Sequence, residues 1–331
     1  MKKLLPSTGF TTGAAAAASA RANLYWIIFG KKINKVTLVL PNKNNLDINV
    51  NFEKNRAFVI KNSGDDPDIT NNAKIYSEVT IIDGSRQIFI TGGKGVGIVT
   101  KKGLQLPIGS YAINPVPQKI IKQNLIDILP NNKSILITVT IENGEALAKK
   151  TFNERLGIVQ GLSILGTTGI VTPMSIEAIK VTIELQIDVL LAEKTKHFYL
   201  VPGKIGEKFI KNIFCGAKTV QVSNYFDCAL NYLSSKGIKH FAIAGHPGKL
   251  AKIAEGHYNT HSKVANQANH FITKRLNLND SFNTVEEIIS SGANFNIIAK
   301  DISLRILKDY SIYVSCYLCN MKGQLIGKYE V

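Results

Sequence analysis

Acidic residues are scarce in this sequence. The 331 residues include 24 Asp and Glu but 40 Lys and Arg, so the formal net charge is +16. The excess reflects the missing acids, because the basic pairs are scattered along the chain without aromatic residues between them. Proteins that bind nucleic acids usually concentrate their cations on one face or helix, so this pattern argues against such a partner. A broadly positive surface instead suits a small polyanionic substrate.

Cysteine is also rare. Four cysteines are too few to form a disulfide framework in a chain of this length. Cys316 and Cys319 have CxxC spacing, but they lie in a run that is typical of a strand, where residues three apart face opposite sides. The spacing therefore favours a structural pair over a zinc or redox site. We expect no protein-bound metal.

Long hydrophobic runs are missing as well. The longest apolar run near the N-terminus covers residues 24–29, which is far short of the roughly 20 residues that span a bilayer. A basic start followed by an alanine run ending at Ala20 imitates a secretory signal. Proline, glycine and threonine between residues 6 and 13 interrupt the apolar stretch that such a signal needs. We expect a cytoplasmic protein with no membrane partner.

The pattern of apolar and capping residues predicts two domains. In residues 1–193, strands and helices follow one another without strict alternation, which is typical of an α+β domain. An alanine-rich helix is predicted at 14–29, with Thr11 or Thr12 as its cap and Gly30 as its end. In residues 194–331, three strand–loop–helix steps predict a small Rossmann-like α/β domain with a C-terminal extension.

Two local patterns add detail. Asp66 followed by Pro67 is a typical start of a helix. In the tail we expect one helix at 284–291 and a hairpin around Gly323.

Glycine and threonine cluster in three loops of the first domain. Gly93, Lys94 and Gly95 lie in a glycine-rich loop after a strand, and its backbone amides could bind an anion or simply form a bulge. No helix follows these glycines, so the dinucleotide-binding fingerprint is absent. The paired threonines Thr11-Thr12 and Thr167-Thr168 could contact a polar ligand or only support turns.

Three further positions carry titratable side chains. Asp65 precedes the expected helix cap and is either a site residue or a solvated turn residue. His246 follows a strand at the carboxyl edge of the second sheet, where open α/β folds bind ligands, but it could also be structural. His257 and His261 have the i,i+4 spacing of one helix face, without the further ligands that a metal needs.

Taken together, these segments resemble the cobalt-precorrin-5B C1-methyltransferase family of anaerobic cobalamin biosynthesis. The resembling stretches are TGFTTGAAAAA at 8–18, SGDDPDIT at 63–70, GGKGVGIVT at 92–100, GLQLPIG at 103–109, AINPVP at 112–117, TFNERLGI at 151–158, ILGTTGIV at 164–171, GHPGKL at 245–250 and NTHS at 259–262. The sequence departs from the family at Ser63, where alanine is expected, and at Lys94, where an acid is common.

The resemblance implies an enzyme that transfers a methyl group from S-adenosylmethionine to C1 of cobalt-precorrin-5B, giving cobalt-precorrin-6A. Cobalt would belong to this polycarboxylate tetrapyrrole substrate. We expect the methyl donor to bind at Gly203, Gly206, Asn224 and Gly245. The substrate carboxylates would bind at Thr11, Thr12, Gly93, Lys94, Gly95, Arg155, Thr167 and Thr168. Asp65 or His246 would accept a proton or orient the ring.

Two other functions remain open at this stage. A small-molecule kinase could use the glycine loops for ATP phosphates, although the loop at 92–97 has no P-loop lysine followed by serine or threonine. A binding module without catalytic activity would bind the cofactor and not turn it over.

Overall fold

The computed structural model describes residues 7–173, 175–278 and 282–331, and the chain divides into two compact units, Met1–Ser175 and Ile176–Val331. The helices described in the first unit are α1 (Thr12–Phe29), α2 (Pro115–Leu125) and α3 (Gly144–Ala148). Its strands are β1 (Gly9–Phe10), β2 (Lys35–Val39), β3 (Asn45–Asn49), β4 (Asn51–Glu53), β5 (Arg56–Ile60), β6 (Lys74–Asp83), β7 (Ile88–Gly92), β8 (Gly95–Val96), β9 (Ile98–Val99), β10 (Lys133–Ile141), β11 (Ile158–Val159), β12 (Gly161–Leu162) and β13 (Ile170–Val171).

Helix α1 begins and ends as the sequence predicts. The Thr11 side chain accepts a hydrogen bond from the Ala14 amide, and Gly30 ends the helix in the left-handed conformation with its amide donating to the Trp26 carbonyl. The alanines of its first turns are fully buried. Because alanine is small, the helix lies close against β5, β6 and α2 and forms the centre of the first core.

The main sheet of the first unit has the strand order β4-β5-β6-β10-β7. Strand β10 is antiparallel to β6 and parallel to β7. Ile135, Ile137 and Val139 on β10 are fully buried in the core that contains α1, while Leu136 on the other face is exposed. This alternation is the period-2 pattern of a sheet with one covered face.

The second unit contains one five-stranded sheet and the helices around it. The described helices are α4 (Ile176–Ala192), α5 (Lys204–Ile213), α6 (Phe226–Ser235), α7 (Pro247–Ala254), α8 (Asn269–Arg275), α9 (Val285–Ser290) and α10 (Asn296–Tyr310). The strands are β14 (Phe198–Val201), β15 (Lys218–Gln221), β16 (His240–Gly245), β17 (Tyr313–Cys319) and β18 (Leu325–Tyr329).

The strand order of this sheet is β15-β14-β16-β17-β18. Strands β15, β14, β16 and β17 are parallel, and β18 is antiparallel to β17 at the edge. The chain runs from β14 to its neighbour β15 and then returns past β14 to β16. The direction of the strand order therefore reverses beside β14, and in open α/β sheets such a reversal is where ligands commonly bind.

The division between the units lies one helix before the boundary expected at residue 193. Helix α4 belongs to the second unit because Ile183, Ile187 and Leu190 are buried in the same core as β14 and β15. Gln186 also accepts a hydrogen bond from the Gln221 amide at the end of β15. In addition, β17 lies inside the sheet, so the C-terminal segment is part of the fold rather than an extension of it.

Three local expectations are wrong. No helix begins at Asp66; residues 66–68 are irregular and residues 69–72 form a turn, because the Asp68 carboxylate accepts hydrogen bonds from the Thr70 amide and hydroxyl. Residues 257–261 are not helical, so the spacing of the two histidines does not place them on one helix face. The C-terminal region contains α8 and α10 beside the expected helix α9, which begins at the cap Thr284. The expected hairpin is confirmed as β17 and β18.

Among the described residues, no helix has the length and apolar character needed to cross a membrane.

Candidate functional site

The paired threonines Thr11 and Thr12 lie against the glycine-threonine loop at 163–169. The Thr12 hydroxyl hydrogen-bonds with the Leu165 amide at 2.9 Å and with the Ser163 carbonyl at 3.3 Å, and the Gly169 carbonyl accepts from the Thr11 amide. Gly166 has a φ of +130°, and a Cβ there would lie 2.4 Å from Thr11 Cβ. These contacts join the two loops. The Thr11 and Thr12 side chains are buried where the loops meet and take part in the contacts between them.

The glycine loop at 92–97 packs against two other glycines. Gly95 has a φ of +82°, and a Cβ on Gly144 or Gly161 would lie 2.2 Å or 2.4 Å from the Gly95 carbonyl oxygen. The amides of Gly93 and Gly97 donate to carbonyls of Val139 and Leu162. These glycines are therefore explained by close backbone packing, and their amides are used within the protein. Anion binding by Gly93 and Gly95 stays a prediction.

Fewer of the predicted substrate-binding residues than expected have side chains that reach the surface of the first unit. Lys94, Thr167 and Thr168 are exposed, and Arg155 is half-buried with its guanidinium 5.7 Å from the centre of the Phe152 ring. The Thr168 hydroxyl hydrogen-bonds with the Ile170 backbone and shapes the turn. The exposed side chains are the ones available to a polycarboxylate.

Asp65 is exposed, and its carboxylate accepts a hydrogen bond from the Ser7 amide at 2.7 Å. Beneath it lies a buried lysine that the sequence analysis missed. Lys61 is 1% exposed, and its ammonium donates to Ser63 Oγ at 2.5 Å and to Asp68 Oδ2 at 2.6 Å. Burial opposes ionisation of Asp68, but the hydrogen bond and charge of Lys61, together with the Thr70 hydrogen bonds, outweigh it and lower the pKa of Asp68. This ion pair fixes the loop that carries Asp65.

In the second unit, the predicted glycines meet at the carboxyl ends of β14 and β16. Gly203 follows β14 and caps α5, while Gly245 ends β16, and a Cβ on Gly245 would lie 2.9 Å from Cδ of Pro202. Gly206 allows α5 to approach β16, since a Cβ there would lie 2.6 Å from the Ala244 carbonyl oxygen. Gly203 differs, because a Cβ there would have no atom within 4 Å. Of these glycines, Gly203 alone faces open space.

Asn224 lies after β15 at the same edge of the sheet. Its carbonyl accepts from the Thr260 amide at 2.9 Å, and its side-chain oxygen accepts from the Thr260 hydroxyl at 3.4 Å. The segment that contains Thr260 is held by buried Lys252, whose ammonium donates to the carbonyls of Thr260 and Ala265. Asn224 therefore anchors the segment at 259–262 to the carboxyl edge.

His246 uses both of its ring nitrogens. As the cap of α7, it accepts the Gly248 amide on Nδ1 at 3.0 Å, and its Nε2 lies 2.9 Å from Glu286 Oε2. Glu286 Oε1 also accepts a hydrogen bond from the Met321 amide, which follows β17, at 3.3 Å. The imidazole thus links the end of β16 to the first turn of α9. This arrangement favours a positioning role for His246, and its role as a proton acceptor stays a prediction.

A protein-family model described as CbiD matches residues 2–173 of this chain. A cobalt-precorrin-5B C(1)-methyltransferase from Methanocaldococcus jannaschii is 42% identical to it, over 97% of this chain and 96% of the relative. The chain belongs to the CbiD family. A protein with the same name from Clostridium perfringens is 38% identical over 92% of this chain and 87% of its own. A crystal structure of a cobalamin biosynthesis protein (cbiD) from Archaeoglobus fulgidus is 27% identical, covers 78% of this chain and 83% of that one, and has a TM-score of 0.45.

Two polar groups of this CbiD-family chain escaped the sequence analysis. Lys61 directly follows β5 and resembles any solvated lysine in sequence, and only the fold shows that it is buried. Glu286 lies 40 positions from His246, in a helix whose acids are explained by capping alone. For Glu286 one signal existed, since a strand-end histidine needs a partner for its second nitrogen.

Cys316 and Cys319, the CxxC pair, do not lie together in one site. Cys316 and Cys319 are free and buried, and they belong to different core clusters. Burial raises the pKa of the Cys316 thiol, and burial followed by the charge of Glu286 raises that of Cys319 to about 12. In the ranges that the structure describes, no group of three His, Cys, Asp or Glu side chains is arranged to hold a metal ion.

Proposed function

We propose that this chain transfers a methyl group from S-adenosylmethionine to C1 of cobalt-precorrin-5B, giving cobalt-precorrin-6A. The observation that carries the proposal is the 42% identity, along nearly the whole length of both chains, to a curated cobalt-precorrin-5B C(1)-methyltransferase. Methyl transfer of this kind requires a methyl donor, and S-adenosylmethionine is that donor. Cobalt is part of the substrate in this proposal. A cytoplasmic location remains part of the proposal.

The second unit is proposed as a Rossmann-like domain that binds the donor. Four parallel strands, and a strand order that reverses beside β14, support this fold. Ligands of open α/β sheets bind at such a reversal. Gly203 supplies the open approach, Gly206 and Gly245 let the backbone pack closely at the carboxyl ends of β14 and β16, and Asn224 holds the neighbouring segment.

The α+β first unit is proposed to bind the carboxylates of the tetrapyrrole. The exposed Thr167 and Thr168 offer hydroxyl donors, and Lys94 and Arg155 offer positive charge. The loops that carry these groups are held in place by the contacts described above, which involve Thr11, Thr12, Gly93 and Gly95. The net charge of +16 attracts a polyanion to the whole surface.

The chemistry of methyl transfer explains why the site is built from positioning groups. The C1 carbon supplies the electron pair of the new carbon–carbon bond. The methyl–sulfur bond breaks, and sulfur keeps the electron pair of that broken bond and becomes a neutral thioether. Positive charge on sulfur disappears, so the reaction needs alignment more than acid catalysis. Alignment of two reactants contributes roughly 7–11 kcal/mol to lowering a barrier. Asp65 as a proton acceptor remains a hypothesis within this mechanism.

The test is incubation of the purified protein with cobalt-precorrin-5B and S-adenosylmethionine labelled in its methyl group. Mass spectrometry should find the label on the tetrapyrrole, with release of S-adenosylhomocysteine. A parallel reaction with labelled ATP should transfer no phosphoryl group. Phosphoryl transfer would favour a kinase, and binding of S-adenosylmethionine without turnover would favour a binding module; either result would contradict the proposal.

A further inference from the structure

Glu286 stands at the carboxyl edge of the second sheet, held from two sides. Its Oε2 lies 2.9 Å from His246 Nε2, after β16, and its Oε1 accepts the Met321 amide, after β17. The side chain remains 38% exposed. The carboxylate is therefore fixed in direction and still open to a ligand. The packing of α9 beside the turn supports this position, because a Cβ on Gly248 would lie 3.9 Å from a methyl carbon of Val285.

The hydrogen bonds of His246 determine which nitrogen carries its proton. An amide N–H can only donate, so Nδ1 of the neutral ring must be the acceptor of the Gly248 amide. The ring proton then resides on Nε2 and is donated to Glu286. A neutral histidine in this tautomer orients the carboxylate without neutralising its charge. His246 thus acts through Glu286.

Each carboxylate oxygen of Glu286 accepts one protein hydrogen bond, and a carboxylate oxygen has about two lone-pair positions. One acceptor position therefore remains on each oxygen. Two adjacent acceptors of fixed direction match two adjacent donors. The ribose of the methyl donor carries such a pair in its vicinal hydroxyls, and acids at the carboxyl edge of Rossmann folds bind ribose hydroxyls.

We propose that Glu286 binds the two ribose hydroxyls of S-adenosylmethionine and that His246 is the positioning residue that holds it. This assignment rests on the function proposed above. It replaces a proton-accepting role for His246 with an orienting one, and it places a specificity-determining carboxylate on α9.

The test compares the binding of S-adenosylmethionine with that of its 2′,3′-dideoxy analogue, by calorimetry on the full-length protein. Wild type should bind the analogue about 100-fold more weakly, because the carboxylate loses both donors. In Glu286→Gln, S-adenosylmethionine should bind about tenfold more weakly and the two ligands should differ by less than about threefold. Glu255→Gln, an exposed acid after α7, is the matched control and should keep the wild-type ratio.

His246→Asn separates the two roles of the histidine. Asparagine can still cap α7 through its side-chain oxygen, but it is too short to hold Glu286. Discrimination between the two ligands should fall about tenfold while the thermal midpoint stays close to that of wild type. If Glu286→Gln fails to fold, this variant alone decides the question.

Three results would overturn the assignment. The first is an unchanged ribose discrimination in both variants. The second is a Glu286→Gln variant that no longer discriminates against an S-adenosylmethionine analogue without the α-amino group. That result would place the Glu286 carboxylate at the ammonium of the methyl donor instead of at its ribose. The third is a wild type that binds no S-adenosylmethionine, and that result would also overturn the proposed function, whereas the first two leave it standing.

Discussion

Gly203 and Gly206 lie three positions apart at the start of α5, and their surroundings differ. A side chain on Gly203 would meet open space, whereas a Cβ on Gly206 would lie 2.6 Å from the Ala244 carbonyl oxygen. We expect Gly203→Val to keep the thermal stability and to weaken S-adenosylmethionine binding at least about tenfold, because the added methyl groups occupy the ligand approach. Isothermal calorimetry and a thermal melt measure the two effects.

Gly206→Ala is the matched comparison for that prediction. It should lower the free energy of unfolding by about 1–3 kcal/mol, because α5 must move away from β16. If Gly203→Val bound the donor normally, the donor site would have to be placed elsewhere on the second unit.

The buried pair of Lys61 and Asp68 predicts a stability effect with a defined pH dependence. Asp68→Asn leaves the Lys61 ammonium without its counter-charge, and removal of one partner of a buried pair costs about 3–5 kcal/mol. The Asp68 side chain is 26% exposed, so we expect a smaller loss of about 2–3 kcal/mol. Urea unfolding at neutral pH measures it.

The pH profile follows from the lowered pKa of Asp68. A carboxylate whose pKa is lower in the folded state stabilises the protein above its unfolded pKa of about 4, and loses that effect as the pH falls toward the native value. The difference between wild type and Asp68→Asn should therefore be constant near neutrality and shrink below about pH 4. Asp83→Asn breaks an exposed pair with Lys133 and should change the stability little at any pH. Equal effects of the two variants would mean that Lys61 is solvated.

Threonines at the start of α1 and in the loop at 163–171 are predicted to have different roles. Those at the start of α1 stabilise the fold, and the exposed ones in the loop contact the substrate. Thr12→Val removes the acceptor of the Leu165 amide and should lower the free energy of unfolding by about 1 kcal/mol. The double variant Thr167→Ala/Thr168→Ala removes exposed hydroxyls and should raise KM for cobalt-precorrin-5B several-fold, with little loss of stability. Steady-state kinetics and thermal melts test both. A normal KM in the double variant would exclude these hydroxyls as substrate contacts.

Elements with strong local signals could be predicted from the sequence. The alanine helix with its threonine cap and terminal glycine, and the alternation of strand and helix after residue 194, depend on neighbours in the chain. The helix expected at Asp66 failed because Asp68, two positions further on, closes a turn instead. The same short run of aspartates and proline can cap a helix or form a turn. Here the contact of Asp68 with Lys61, which the local sequence does not show, favours the turn.

The candidate site could be predicted only in part, for a similar reason. Glycines and threonines in the loops indicate either a ligand site or closely packed backbone, and the sequence alone does not distinguish these two alternatives. Gly95 and Gly206 are explained by atoms from distant segments, and Gly203 by the absence of any close atom, within the residues described. For Glu286 the only signal was indirect, a strand-end histidine that needs a partner, because its contact with His246 spans 40 positions of the sequence.

At the scale of the whole molecule, each unit has its own core. Ala14 and Ile137 belong to one cluster, and Ile187 and Ile243 to another. The positive charge is spread over the whole chain, so the attraction of a polyanion should weaken with salt. We expect KM for cobalt-precorrin-5B to rise between low and physiological ionic strength, since screening shortens the Debye length to about 8 Å. Initial rates at increasing potassium chloride measure it. An unchanged KM would limit recognition to contacts within the site.

The boundary at Ser175 and Ile176 makes a further prediction about α4. A fragment of residues 176–331 retains α4, whereas a fragment of residues 194–331 lacks it. Ile183, Ile187 and Leu190 are buried against the second sheet, and each such side chain contributes about 1.5–3 kcal/mol. Their sum is comparable to the whole stability of a domain, which is about 5–15 kcal/mol.

We therefore expect the longer fragment to unfold cooperatively and the shorter one to show no thermal transition by circular dichroism. The longer fragment should also bind S-adenosylmethionine, because Gly203, Gly245 and Glu286, the residues proposed to surround the donor, all belong to it. If both fragments folded equally well, α4 would be dispensable for the second core. If the longer fragment folded but lost the donor affinity of the full chain, residues of the first unit would have to belong to the donor site.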